Sequence, residues 1–389
     1  YKTYRIVPSR QKRDFQTTIK VTDTSLENRF YKISVDPKTG TIVSIYDKEL
    51  GVELIDKNAP HGFNQFIARS VIDGKQYPAE ESRVERGKTG PIMGSLIIRG
   101  EGTGCPQRIQ EIIIYDELKR IDIANRLLKD STPLLELYFA YPFNLKNPKV
   151  KFEATDAIVT PIEDQIPGSN TDYYAVQHWV DVYKENFGVT WSSIEAHLVE
   201  FGGLWLGYLS GAHHGVTYPG YGHEFLKPGE IKRGYIYSYV MNTNYRTNFQ
   251  PIQVSDMLFR YSFTSHKGDW IKGKSKNFGW EVQNPLIPVF MKGRKRGLLP
   301  FSMSFCSIDK SNISLLTLKV AEDDDGIIIR LMEMEGKDTV ATITLPFVDI
   351  KEAYLTNLVE ENEKLLSCSR NTVTVPIKAF GISTIRVKF

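Results

Sequence analysis

Apolar and polar residues alternate with a period of two along most of the 389-residue chain. Phe30, Ile33 and Val35 begin one such run, which reaches a turn at Asp36-Pro37-Lys38-Thr39-Gly40 before Thr41-Ile42-Val43-Ser44-Ile45-Tyr46 alternates again. Proline early in a turn and glycine at its end are hairpin chemistry. The pattern recurs at 95–99, 108–115, 121–128, 134–143, 152–159, 196–209, 234–241 and 257–264. No long stretch places apolar residues at i, i+3, i+4 and i+7, so helices should be few and short. Many strands at short spacing, separated by Gly, Pro, Asn and Asp, predict an all-β architecture of sandwiches.

The periodicity stops between 271 and 301. Ile271-Lys272-Gly273-Lys274-Ser275-Lys276-Asn277 is polar, Pro285 and Pro288 follow, and Lys292-Gly293-Arg294-Lys295-Arg296-Gly297 precedes Pro300. This reads as a connector, its basic cluster a solvated linker rather than a nucleic-acid patch. Beyond it, 313–320 and 327–334 flank Asp323-Asp324-Asp325-Gly326, a strong hairpin signal. The acidic triplet is better read as a solvated turn than as a calcium loop. The expected organisation is therefore a large β-sandwich over 1–270, a connector over 271–301, and a small immunoglobulin-like β-sandwich over 302–389.

Composition narrows the function classes. With 41% hydrophobic and 24% charged residues, the chain can bury large cores and is not a disordered polymer. A net charge of +3 gives no argument for nucleic acid or an anionic membrane as partner. No apolar run approaches the ~20 residues of a membrane span, and a cytoplasmic setting is the default expectation. Cys105, Cys306 and Cys368 are too few and too scattered for a disulfide framework or a metal knuckle, and read as reduced thiols.

Several segments, taken in order, carry a family resemblance. Leu26-Glu27-Asn28-Arg29-Phe30-Tyr31, followed by 36–40 and Ser44-Ile45-Tyr46-Asp47-Lys48-Glu49-Leu50-Gly51, resembles the opening of the post-catalytic β-domain of family 38 α-mannosidases. The strand just before that domain is similar to 1–7. Residues 172–182, around Tyr173-Tyr174-Ala175-Val176-Gln177-His178-Trp179, and 237–249, around Asn242-Thr243-Asn244-Tyr245-Arg246-Thr247-Asn248, look like segments of the same domain. Leu316-Thr317-Leu318-Lys319, Ile328-Ile329-Arg330-Leu331 and Lys351-Glu352-Ala353-Tyr354 resemble the family's terminal sandwich.

The resemblance implies a galactose-mutarotase-like supersandwich followed by a smaller sandwich. It also implies a parent enzyme that is a retaining α-mannosidase of glycan metabolism, with a catalytic α/β barrel. Retention needs two carboxyl groups about 5–5.5 Å apart. The family adds a zinc ion held by a His-x-Asp pair and a His-His-Asp run. Here no His is followed two places later by Asp, and His213-His214 runs into Gly215. Neither the zinc nor the nucleophile carries over to a residue of this chain, which is expected to be inactive alone, with no catalytic residue, metal or cofactor of its own. Zinc is expected in the catalytic barrel, the partner domain of the same polypeptide.

The candidate residues are accordingly for binding an α-mannoside. Tyr173, Tyr174 and Trp179 beside His178 could stack on sugar rings, against the alternative that they are core or interface packing. Asn244, Tyr245, Arg246 and Asn248 crowd polar groups at a strand's end and could shape the rim of a sugar pocket, against the alternative of an Asn-rich turn. His213, His214, His223 and Glu224 lie in a Gly-rich stretch whose spacing fits no zinc motif. Other function classes remain: a stand-alone carbohydrate-binding module, or an aldose-mutarotase-like enzyme in which His178 with Glu195 or Glu224 would serve as acid and base.

Overall fold

The computed structural model describes residues 1–8, 14–79, 81–155, 157–205, 225–243, 250, 252–293, 297 and 299–389. Two compact units divide the chain. The larger contains Asp14–Thr155 and Val159–Leu286; the smaller is built on Ile287–Phe389. Among the described residues the fold is strand and turn, interrupted by the helix Ser275–Gln283.

In the larger unit the chain opens as an antiparallel meander of Lys20–Val21, Ser25–Glu27, Tyr31–Val35, Ile42–Asp47 and Val52–Glu53. The predicted 36–40 turn joins the third and fourth of these strands. Asp36 accepts the Lys38 and Thr39 N–H groups at 2.8 and 2.9 Å. Gly40 has φ +69°, and a Cβ there would sit 2.4 Å from Ile98, so the turn needs glycine.

Two further antiparallel sheets follow. One has the order Ala157–Val159, Lys149–Ala154, Val180–Tyr183, Gly188–Ser193, Ser255–His266, Ile121–Lys129, Cys105–Tyr115, Met93–Gly102, Ser82–Thr89. The other has the order Tyr174–Ala175, Leu198–Phe201, Arg233–Asn242, Leu135–Lys146, Gln65–Ser70, Gln76–Pro78. The core gathers their inward rings: Phe63 lies 5.3–5.4 Å from Tyr141, Phe143 and Phe263, and Trp191 lies 5.5 Å from Tyr261. Some of its polar atoms pair with one another. Asn64 and Asn125 exchange amide hydrogen bonds at 2.9–3.0 Å, and Tyr141 Oη donates to Asn64 at 2.9 Å.

The sheet containing Leu135–Lys146 buries both faces. Leu137, Phe139, Tyr141 and Ile236 point to the main core, while Ile67, Tyr138, Ala140, Tyr235, Tyr237 and Tyr239 form a separate cluster behind the sheet. Strands covered on both sides lose their apolar–polar alternation, and Leu135–Phe143 is buried at every position.

The stretch 271–301, read from sequence as an aperiodic connector, contains a helix near its start. Ser275–Gln283 is helical and lies against Gly188–Ser193. Its N-cap residue, Lys274, is left-handed and gives no side-chain cap. Tertiary bonds hold it instead: Ser275 Oγ donates to Asp181 at 2.6 Å, and Gln283 Nε2 donates to the carbonyls of Gln177 and Ser193 at 2.8 Å. A helix fixed this way leaves little signal in local sequence.

The smaller unit is a two-sheet sandwich. One sheet has the order Ser307–Ile308, Thr339–Thr344, Thr372–Ile377, Cys368–Ser369; the other Ile313–Val320, Ile327–Glu333, Ile382–Lys388, Glu352–Thr356, Asn362–Leu365. Ile329, Leu331, Ala341, Ile343, Val373, Val375 and Ile385 fill the space between them. Residues 1–8, expected at the start of the large sandwich, belong with this unit: Lys2 bridges Ser302, and the Thr3 N–H donates to Phe301 O at 2.7 Å. The Asp323–Gly326 turn joins Ile313–Val320 to Ile327–Glu333 as expected. Its acid groups hold basic partners: buried Arg386 donates to both Asp323 oxygens at 2.7 Å, and Lys388 pairs with Asp325.

Candidate functional site

Of the residues singled out from sequence, Asn244, Tyr245, Arg246 and Asn248 lie outside the described residues, as do His213, His214, His223 and Glu224. Tyr174 and Trp179 are core residues: Tyr174 packs 5.1 Å from Phe201 and 5.6 Å from Phe152, and Trp179 stacks on Trp270 at 5.4 Å. Tyr173 is half-buried. His178 is half-buried between Trp280, stacked on it at 4.2 Å, and Glu153, which its Nδ1 meets at 3.2 Å. The His178–Glu195 acid–base couple does not assemble. Glu195 accepts from the Arg260 side chain and backbone at 2.7 Å, and His178 has Glu153.

The densest chemistry lies behind the Leu135–Lys146 sheet, on residues that the sequence reading passed over. Strand alternation sends Arg69, Glu136, Tyr138, Glu200, Tyr237 and Tyr239 to this one face. Arg69 is 3% exposed and Glu136 and Glu200 are each 1% exposed. Arg69 Nε donates to Glu136 Oε2 at 2.8 Å, one terminal nitrogen donates to Tyr138 Oη at 2.8 Å, and the other to the Trp205 carbonyl at 2.5 Å. Glu200 Oε2 accepts the Trp205 N–H at 2.6 Å, and Trp205 Nε1 donates to Phe201 O at 3.0 Å. Tyr239 Oη donates to Glu136 Oε1 at 3.2 Å, and the rings of Tyr138 and Tyr239 stack at 4.8 Å. Nearby, Tyr237 Oη meets His61 Nδ1 at 3.0 Å, and His61 Nε2 meets Gln76 at 2.6 Å.

The electrostatics follow from one cation facing two carboxyl groups. Burial works against the Arg69 charge, but Tyr138, Glu136 and Glu200 outweigh it and hold the guanidinium protonated. Burial pushes Glu200 up to about 8, and Glu136 adds to the rise against the pull of Arg69 and the Trp205 N–H. Burial also raises the phenols of Tyr138, Tyr237 and Tyr239 and lowers His61. At neutral pH the site is an Arg69–Glu136 ion pair beside a largely protonated Glu200, under neutral tyrosines. It grips the backbone of Trp205 by both the N–H and the C=O of that residue.

Residues 26–196 match the Glycosyl hydrolases family 38 C-terminal domain, and residues 312–385 match the Glycosyl hydrolases family 38 C-terminal beta sandwich domain. Together these spans take in more than half of the chain. The chain belongs to glycosyl hydrolase family 38, as its C-terminal β portion. Solved family 38 structures share its fold. An α-mannosidase from Enterococcus faecalis V583 aligns with 96% of the chain at a TM-score of 0.71 and 12% identity. A family 38 glycosyl hydrolase from Enterococcus faecalis aligns with 97% at 0.70 and 12%. The chain spans 43% and 45% of the lengths of these two proteins. A galactose mutarotase-like protein from Clostridium acetobutylicum aligns with 65% of the chain, and the chain covers 99% of it, at a TM-score of only 0.39 and 10% identity. No curated protein matches the sequence.

Family 38 membership raises the question of zinc. Among the described residues no three His, Cys, Asp or Glu side chains are grouped to hold a metal ion. Among them, too, no helix is long and apolar enough to cross a membrane.

Proposed function

We propose that this chain is the non-catalytic β portion of a retaining α-mannosidase-like hydrolase. In this reading it supports a zinc-bearing catalytic α/β barrel of the same polypeptide and helps to form the rim of its α-mannoside site. The observation that carries the reading is the use made of the buried acids. Glu136 and Glu200 are spent on Arg69, Tyr239 and the Trp205 peptide. A retaining pair must instead present two carboxyl groups to a sugar. The cluster therefore serves as an anchor, fixing the backbone where the chain leaves Leu198–Phe201 and enters the Gly-rich stretch after Trp205. Arg246, with Asn244, Tyr245 and Asn248, remains the proposed group for contact with sugar hydroxyls, because a planar guanidinium can bridge a hydroxyl and a carboxylate together.

The test is hydrolysis of an aryl α-mannoside by the purified chain, with and without added zinc. The expected result is no turnover in either case. Turnover that follows the chain through every purification step, and disappears on heat denaturation, would overturn the non-catalytic reading.

A further inference from the structure

At one end of the larger unit three loops enclose a cleft of about 810 Å³. They are the turn after Leu135–Lys146, the turn between Val180–Tyr183 and Gly188–Ser193, and the segment after Ser255–His266. The volume is within the roughly 300–1,000 Å³ of small-molecule sites, and the lining carries an unusual share of cations. Lys146, Lys149, Lys184 and Lys272 all line it, against two acids, Glu185 and Asp269. None of the four ammonium groups has an ion-pair or hydrogen-bond partner among the described residues. Four cations without such partners lining one concavity raise its positive potential, so an anion entering it gains from them.

The rest of the lining selects the kind of anion. Asn147 and Asn186 bring amides, which both donate to and accept from hydroxyl groups. Tyr183 adds a phenol that burial, then Asp181 and Asp269, hold above its usual range and so protonated. Phe187 lies half-buried against the core and offers an apolar face of the kind sugar C–H surfaces prefer. Beneath the loops a buried brace fixes their positions. Asp181 Oδ2 meets His266 Nε2 at 2.8 Å and accepts from Thr190 Oγ1 at 2.7 Å and Ser275 Oγ at 2.6 Å. Two of the three loops are thereby tied to one carboxylate.

We propose that this cleft binds an anionic saccharide, a sugar carrying a phosphate or carboxylate group. The lysines hold the charge, and the amides, Tyr183 and Phe187 hold the ring. The proposal stands independently of any catalytic role for the polypeptide.

Calorimetric titration with glucose 6-phosphate, glucuronate, glucose and inorganic phosphate tests it. At least one anionic sugar should bind ten-fold or more tighter than both glucose and phosphate, and which of the two binds better identifies the substituent. Binding should weaken as salt rises and fall at least ten-fold in Lys146→Ala/Lys184→Ala. Lys146→Arg/Lys184→Arg, which keeps both charges, should retain it. These lysines are exposed, so an unchanged unfolding temperature will show that the variants fold. No binding by either anionic sugar overturns the proposal. Phosphate as tight as the better-binding anionic sugar, or alanine variants that bind like the parent, does so equally.

Discussion

Replacing Glu200 by glutamine should remove a large part of the pH dependence of the larger unit's stability. One guanidinium, Arg69, faces two buried carboxyl groups, and only one of them can ionise without an uncompensated charge in a dry site. Glu136 has the direct ion pair at 2.6 Å, so Glu200 is the group that keeps its proton, with its pKa pushed up from 4.5 to about 8. The sign follows from proton counting. In the unfolded chain Glu200 loses its proton above about 4.5, whereas in the folded protein it holds it to about 8. The folded state binds the extra proton throughout that window, so its stability is greatest below 4.5 and declines as pH rises to about 8.

One proton of difference is worth ~1.4 kcal/mol per pH unit. The parent protein should therefore lose roughly 3 kcal/mol relative to Glu200→Gln between about pH 5.5 and 7.5. Glutamine can still accept the Trp205 N–H, so the two proteins should be nearly equal near pH 5 and the variant more stable above pH 7. Urea titration followed by tryptophan fluorescence isolates the effect, because all five tryptophans, at 179, 191, 205, 270 and 280, lie in the larger unit. Titrating groups that do not interact with Glu200 cancel in the difference between the two proteins. Parallel stability–pH curves for the two would refute the reasoning, since Glu200 would then ionise alike in folded and unfolded chains.

Arg69→Met should cost about 3–5 kcal/mol in the same titration, because it leaves Glu136 buried without its counter-charge; a loss below ~1 kcal/mol would mean that water or another cation reaches the site. Gly279→Ala should destabilise, although alanine ordinarily favours a helix by ~1 kcal/mol: the added Cβ would lie 2.7 Å from both the His178 carbonyl and Trp179 Cβ. The shift should appear as a lower midpoint and a changed Trp179–Trp270 emission. Gly326→Ala should lower the smaller unit's calorimetric midpoint by an amount equivalent to ~1–3 kcal/mol, since its φ is +96° and the new Cβ would meet Val387 O at 2.4 Å.

What could be read in the sequence, and what could not, divides along physical lines. Turns were legible because their chemistry is local. Pro37 with Gly40, and the Asp323–Gly326 run, each name a turn without reference to anything distant. The all-β class was legible for the same reason, one strand at a time. The Ser275–Gln283 helix was not, because its support comes from Asp181, Gln177 and Ser193, 90–106 residues away in sequence. The ionic cluster was invisible in another way: Arg69, Glu136 and Glu200 sit on three strands and meet only once the sheet has formed. A trace was nevertheless present. Leu135-Glu136-Leu137-Tyr138-Phe139-Ala140-Tyr141-Pro142-Phe143 is almost continuously apolar, which marks a strand covered on both faces. A lone glutamate in such a strand requires a buried partner. Tyr235, Tyr237 and Tyr239, spaced by two, mark the same second face on the neighbouring strand.

That second face also bears on why charged groups lie where apolar ones would pack. A buried ion pair is rarely the most stable filling for its volume, and well-packed apolar residues often do as well or better. Stability alone therefore does not account for Arg69 and Glu136 in the tyrosine layer. The Trp205 peptide supplies a reason. The backbone at Trp205, four residues past the end of Leu198–Phe201, is half-buried, and its N–H and C=O have no strand partner among the described residues; a peptide atom left unsatisfied away from water costs about 1–3 kcal/mol. No apolar side chain can meet that need. A carboxyl oxygen can accept the N–H and a guanidinium can donate to the C=O, as Glu200 and Arg69 do. Glu136 then follows from Arg69, because the guanidinium cannot be buried without a counter-charge. The second carboxyl has no cation left to it and so retains its proton. On this argument the cluster is a chain of consequences from one backbone position, and the pH response of Glu200 is the last of them.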